Sequence, residues 1–268
     1  MVEAEVVHAP ASAGHPTRAT GLVAFVDALG EIALLTRDAI RALLTRPPAW
    51  SAIVDQLEQI GWQSLSIVNL TALSMGMVLA LQLGDFLDRF GAKMFVSRIV
   101  GVSLVREMSP ILTALMLGGR VGAGITAELG TMSVTEQIDA IRALGANPVR
   151  VLVVPRLLAV LLMLPILTIV ADFVGILGGL FISTTELRVS SDFYWNSLLY
   201  GMVLGDVFSG LGKSIFFAYF IGIIACYNGL RVKGGADGVG RATTATVVAA
   251  SITILIADFF LTKLFLLA

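Results

Sequence analysis

Between Ile60 and Leu83 the chain carries no charged side chain. About 20 apolar residues in a helix cross the ~30 Å hydrocarbon layer of a bilayer. Lipid offers the backbone no hydrogen-bond partner, so such a segment must be a helix or part of a closed barrel. An unbroken apolar run, without the alternation of a barrel strand, selects the helix. Similar stretches recur at about 95–128, 151–185, 193–230 and 242–264, which predicts five spans. The region 193–230 reads as one long helix, because no turn residues flank Lys213. Composition agrees: 57% of residues are hydrophobic and 14% charged, against about a quarter charged in soluble domains. The fold class expected is an all-α integral membrane protein. One membrane domain, 22–268, follows a polar tail, 1–21, that is expected to be disordered and lacks the apolar core of a signal peptide.

Two amphipathic elements accompany the spans. Residues 22–46 place Leu22, Phe25, Val26, Leu29, Ile32, Leu35, Ile40, Leu43 and Leu44 at helical spacing. Asp27, Glu31, Arg37, Asp38, Arg41 and Arg46 interrupt them, so this helix should lie in the interface and stop at Pro47-Pro48. The second element, 133–144, sits between spans two and three. Ser133 followed by Glu136 reads as a capping box, and Gly145 then Asn147-Pro148 as a stop. Val134, Ile138, Ile141 and Leu144 fall on one face, with Glu136, Gln137, Asp139 and Arg142 elsewhere. On pattern alone it is either a docking element or a plain interfacial loop helix.

Loop charge orients the chain. One side collects Arg18, Arg37, Arg41, Arg46, Arg142, Arg150, Arg156, Arg231, Lys233 and Arg241. The other has Asp85, Asp88, Arg89, Lys93 and Arg98, then Glu186, Arg188 and Asp192. The more basic side is expected in the cytoplasm, which puts the N-terminus and 133–144 there and favours docking.

Several chemistries are excluded. Net charge is −1, so no basic field points to nucleic acid. The single cysteine, Cys226, and two histidines, His8 and His15, assemble no disulfide, metal site or hydrolytic triad. Gly122-Ala123-Gly124-Ile125-Thr126-Ala127 fits G-x-G-x-x-A but has no strand before it; Gly118/Gly122 and Gly119/Ala123 read instead as small-residue helix packing. Gly210-Leu211-Gly212-Lys213-Ser214 lacks the first glycine of a P-loop. The chain is expected to bind no cofactor and to hydrolyse no ATP.

What stands out is charge inside the spans: Arg106, Glu107, Arg120, Asp172, Asp206, Lys213 and Asp258. Each costs roughly 2.5–3.5 kcal/mol at mid-membrane. Glu107 or Asp258 paired with Lys213 or Arg106 is the expected network. It could fix helix register, contact a charged headgroup, or relay protons, although no histidine supports a relay.

The block Arg106-Glu107-Met108-Ser109-Pro110, Gly119-Arg120-Val121-Gly122-Ala123, Thr126-Ala127-Glu128-Leu129-Gly130 and Thr135-Glu136-Gln137-Ile138-Asp139-Ala140 resembles the signature of MlaE-type permeases. Asn147-Pro148, Val154-Pro155-Arg156, Lys213-Ser214, Asn228-Gly229 and Gly240-Arg241-Ala242-Thr243-Thr244 continue it; Ser109 departs from the glycine usual before that proline. The resemblance implies a homodimeric permease subunit of an ATP-binding-cassette phospholipid transporter in the bacterial inner membrane. It would work with a cytoplasmic ATPase carrying ATP and Mg, often a small STAS-domain protein, and a periplasmic MCE-domain partner, helping to maintain outer-membrane lipid asymmetry. By the same resemblance Leu79, Gln82, Phe86, Leu87, Arg106, Glu107, Lys213 and Asp258 would line the lipid site. Ser133, Glu136, Gln137, Ile138, Asp139, Ile141, Arg142 and Leu144 would form the coupling helix. The alternative is an ion-coupled secondary transporter using buried carboxylates.

Overall fold

The computed structural model describes residues 21–45 and 50–267. The tail before Gly21 and the Pro47-Pro48 stop lie outside them. Among the described residues every regular element is helical: α1 (Gly21–Thr45), α2 (Trp50–Asp88), α3 (Lys93–Val134), α4 (Gln137–Ala143), α5 (Val149–Thr185), α6 (Ser191–Gly201), α7 (Leu204–Leu230) and α8 (Gly235–Leu267). Five of them, α2, α3, α5, α7 and α8, are long and apolar enough to cross a membrane. The chain is an all-α integral membrane protein. At 42 residues α3 is about 63 Å long, twice the hydrocarbon thickness, so it protrudes. It is not regular: π turns occupy Leu104–Met108 and Gly118–Gly122. Each adds a residue to a turn and rotates the remainder of the helix by about 100°.

Two expectations fail. Region 193–230 is two helices, with extended backbone at Met202 (φ −93°, ψ 130°) and Val203 (φ −103°, ψ 147°). Asp206 decides the break: its carboxylate accepts the Val203 N–H at 2.9 Å and satisfies an orphan amide of the first turn of α7. At 11 residues, about 17 Å, α6 is too short to span. The capping box at Ser133 is also absent. α3 runs on to Val134 because Gly130 packs on Val232, and the Ser133 hydroxyl donates to the Val232 carbonyl at 3.3 Å. α4 starts later, behind Glu136, whose φ of +60° makes the left-handed turn without a side-chain cap. The expected stop holds: Gly145 is left-handed at φ +75°.

α2 and α5 run side by side, with their backbones close. A Cβ on Gly76 would sit 1.9 Å from the Gly175 carbonyl oxygen, and one on Gly178 2.4 Å from that of Leu73. Small residues permit such an approach in lipid, where dispersion rather than hydrophobicity drives helix association. Gly118 and Gly122 do face α7 and α8, but with room for a methyl group, and Gly119 faces open space. The larger core links all five spans and takes in Ala39 and Ala42 of α1 and Ile138 of α4. A smaller core at the α6 end joins Ala80, Val96, Val100, Leu104, Val105, Ile176, Tyr194 and Leu198.

Candidate functional site

The first π turn of α3 meets α7 and α8 inside the membrane region. Gly210 lets α7 close on that turn, since its Cβ would lie 2.1 Å from the Val105 carbonyl oxygen. One turn further along α7 is Lys213, fully buried. Its ammonium has three protons. It donates to Glu107 Oε2 and to Thr262 Oγ1 at 2.7 Å, and Asp258 Oδ1 lies 3.2 Å from Nζ outside hydrogen-bonding alignment. Lys213 thus ties α3, α7 and α8 together and keeps no surface for a ligand.

Arg106 pairs elsewhere. Its Nη1 lies 3.3 Å from Asp206 Oδ1, and its side chain stays 29% exposed. Among the described residues it makes no further side-chain hydrogen bond, so Nη2 and Nε are free to donate. Asp206 therefore both caps α7 and orients Arg106. Of the expected network the Lys213 part exists, with Thr262 as a further member, while Arg106 forms a separate pair with Asp206 that sequence reasoning did not place. Thr262 follows Asp258 by four positions, one helix face, which was a readable signal; the Asp206 pairing needed the break at Met202-Val203.

The expected apolar wall divides. Leu79 and Leu87 are partly buried and pack on the smaller core. Gln82 and Phe86 face outward, Phe86 with its ring centroid 5.1 Å from that of Phe90. Arg120 and Asp172 lie apart from the cluster. Arg120, on the second π turn, donates to Ser64 Oγ and Gln63 Oε1 of α2, both at 2.7 Å. Asp172 Oδ1 is buried without a hydrogen-bond partner.

At the opposite end, α4 presents Glu136, Gln137, Asp139, Arg142 and Leu144 to the surface, with Leu144 85% exposed. Asp139 and Arg142 pair at 2.7 Å. Ile138 does not share that surface: it is buried in the bundle core, with Ile141 half-buried beside it. These two residues anchor α4, and the polar side is what a partner would meet. Ser133 faces the α7–α8 connection instead. Nearby, α1 is fastened to α7. Thr36 Oγ1 and the Tyr219 hydroxyl are 2.7 Å apart, the Tyr227 hydroxyl donates to Glu31 at 2.6 Å, and Arg231 donates to Glu31 from 5.2 Å above the Tyr227 ring. The hydrogen bond from Arg231 holds the Glu31 carboxyl below its ordinary range.

Among the described residues no cluster of three or more His, Cys, Asp or Glu could hold a metal ion. Residues 53–264 match the family model described as Permease MlaE. A probable ABC transporter permease protein of Rickettsia felis is 40% identical over 91% of this chain and 94% of its own length. A protein of the same description from Synechocystis is 43% identical over 79% of this chain and 80% of its own. The chloroplast protein TRIGALACTOSYLDIACYLGLYCEROL 1 of Arabidopsis thaliana is 36% identical over 81% of this chain and 62% of its own.

Proposed function

This chain belongs to the MlaE permease family, and from that premise we propose that it is the membrane subunit of an ATP-driven phospholipid transporter. In this reading two copies enclose a lipid path in the bacterial inner membrane. A separate cytoplasmic ATPase holds ATP and Mg, a STAS-domain protein can accompany it, and an MCE-domain protein receives or delivers lipid on the periplasmic side. The N-terminus and α4 face the cytoplasm, where α4 docks on the ATPase through Glu136, Gln137, Asp139, Arg142 and Leu144.

The observation that supports a lipid substrate most is the partly exposed Arg106, whose Nη2 and Nε donors are left free. An arginine with free donors recognises a phosphodiester as a planar fork, while the outward-facing Phe86 offers acyl chains an apolar surface. Asp206 holds the guanidinium in place. Glu107, Lys213 and Asp258 fix α3, α7 and α8 against one another. The test is ATP-driven lipid transfer by the reconstituted complex. Arg106→Ala should lower transfer about tenfold or more, the loss expected from removing a charge-assisted pair, with expression unchanged. Equal losses of transfer and expression would assign Arg106 to stability alone.

The buried, unpartnered oxygen of Asp172 favours a second reading, ion-coupled secondary transport. That reading requires proton- or sodium-driven uptake by the chain in proteoliposomes without an ATPase.

A further inference from the structure

A small pocket lies at the α6 end of the bundle, away from the Arg106–Lys213 cluster and from α4. It is about 200 Å³ in volume, between one face of α6 (Phe193, Ser197, Tyr200 and Gly201) and the start of α3 (Met94, Phe95 and Arg98). Arg98 is an exposed residue that makes its contact through its stem rather than its charge. Its stem is draped over Gly201, so that a Cβ there would meet Cγ at 2.3 Å, Cδ at 2.5 Å and Nε at 2.9 Å. Yet among the described residues Arg98 has no carboxylate within salt-bridge distance and no side-chain hydrogen bond. Its neighbour Lys93, by contrast, pairs with Asp88 at 3.6 Å. Ser197 is oriented across the same cleft, donating to the Met94 carbonyl at 3.5 Å.

The surroundings are aromatic and exposed. Phe95, Phe193 and Tyr200 all leave large surfaces uncovered, Tyr200 91% of its own. Tyrosine is enriched where spans meet the headgroup region, and Tyr200 stands just ahead of the span α7. An arginine stays protonated at any physiological pH and offers donors in a fork that matches phosphate. A guanidinium without a counter-charge, beside exposed aromatic rings, fits an amphiphilic anion better than a soluble one.

We propose that the Arg98 pocket between α3 and α6 is a second phosphodiester site, which takes the headgroup of a phospholipid from the leaflet at that end of the bundle. The guanidinium binds the phosphate, and Phe95, Phe193 and Tyr200 cover the glycerol backbone. The site is separate from Arg106 and serves as a waiting position beside the transport path. It rests on the lipid-transport reading for its purpose, but its occupancy can be measured independently.

The experiment uses the full complex in phospholipid nanodiscs, with a photo-crosslinking phenylalanine analogue in place of Tyr200 and mass spectrometry of the adduct. The chain with native Arg98 should yield a phospholipid adduct. Arg98→Gln should lower it about tenfold, the factor that corresponds to roughly 1.4 kcal/mol, and Arg98→Lys should retain a larger share. Inorganic phosphate should not displace the lipid. Gly201→Val, which keeps the charge but pushes the Arg98 stem aside, should also lower the yield. Intact thermal melting in each variant separates loss of binding from loss of fold. An adduct yield indifferent to Arg98, displacement by free phosphate, or crosslinks to a partner protein instead of lipid would each overturn the proposal. ATP-driven lipid transfer by the same sample distinguishes the two readings. Transfer without an Arg98-dependent adduct sinks only the second site; an adduct without transfer sinks only the transport function.

Discussion

Lys213→Met should destabilise the bundle strongly, and neutralising both of its acidic partners should reverse most of that loss. Methionine keeps the length of the stem and removes only the ammonium, which is fully buried between α3, α7 and α8. The direct loss is two hydrogen bonds and one close ionic contact. In membrane proteins such interactions average about 0.6 kcal/mol each, so roughly 2 kcal/mol is the lower bound. The larger effect is on the acids left behind. Glu107 and Asp258 keep side-chain exposures of only 29% and 16%, and stranding a buried charge costs about 3–5 kcal/mol. Partial exposure of Glu107 argues for the lower end, about 3 kcal/mol. For a domain of this size each kcal/mol moves the melting point by about 2–4 °C, so Lys213→Met should melt roughly 6–12 °C lower in detergent. The triple variant Lys213→Met, Glu107→Gln, Asp258→Asn carries no stranded charge and should recover most of the difference. A single variant melting within about 2 °C of wild type, or a triple variant no better than the single, would refute the argument that paired charge holds these helices.

Gly76→Ala should cost about 1–3 kcal/mol through overpacking, because its methyl would enter the Gly175 carbonyl, whereas Gly119→Ala should be silent; melting of the two variants checks the contrast. At Glu136, Gly should be tolerated and Val should cost about 1–2 kcal/mol, since φ is +60°; a Val variant as stable as wild type would remove the strain argument. Ser133→Ala should leave α4 intact, as hydrogen exchange of Gln137–Ala143 would report, because Ser133 caps nothing there. The Glu31 contact should weaken in acid. Its carboxyl is depressed below 4.5 in the folded chain, so the contribution is present above that value and lost as pH falls through the lower, folded one. Hydrogen exchange in Gly21–Thr45 should rise over that interval in wild type and be indifferent to it in Glu31→Gln.

The reading of Glu107, Lys213 and Asp258 as partners was possible from sequence because ionic groups in lipid must find one another. The assignment of Arg106 to Asp206 was not. Asp206 looked like a mid-span acid, and only the extended backbone at Met202-Val203 turned it into a cap at the start of a helix. Similarly, Ile138 shares a helical face with Leu144 on paper. In the fold Ile138 is buried and Leu144 is 85% exposed, since α4 ends at Ala143 and Leu144 caps it with non-helical backbone. Neither π turn carries a sequence mark. Hydrogen-bond register within a helix depends on what packs around it, and here Gly210 and the α2 side chains that meet Arg120 do so.

The sequence by itself determined that the chain crosses a membrane, where four of its five apolar helices lie, and which ionisable groups need partners. Those follow from transfer free energies, which are properties of local segments. Tertiary structure decided which charge meets which, that Lys213 is enclosed while Arg106 keeps free donors, and that α4 starts at Gln137. Those depend on rotation and register between helices. One inserted residue in a turn changes them by about 100°, and a hydropathy pattern does not record it.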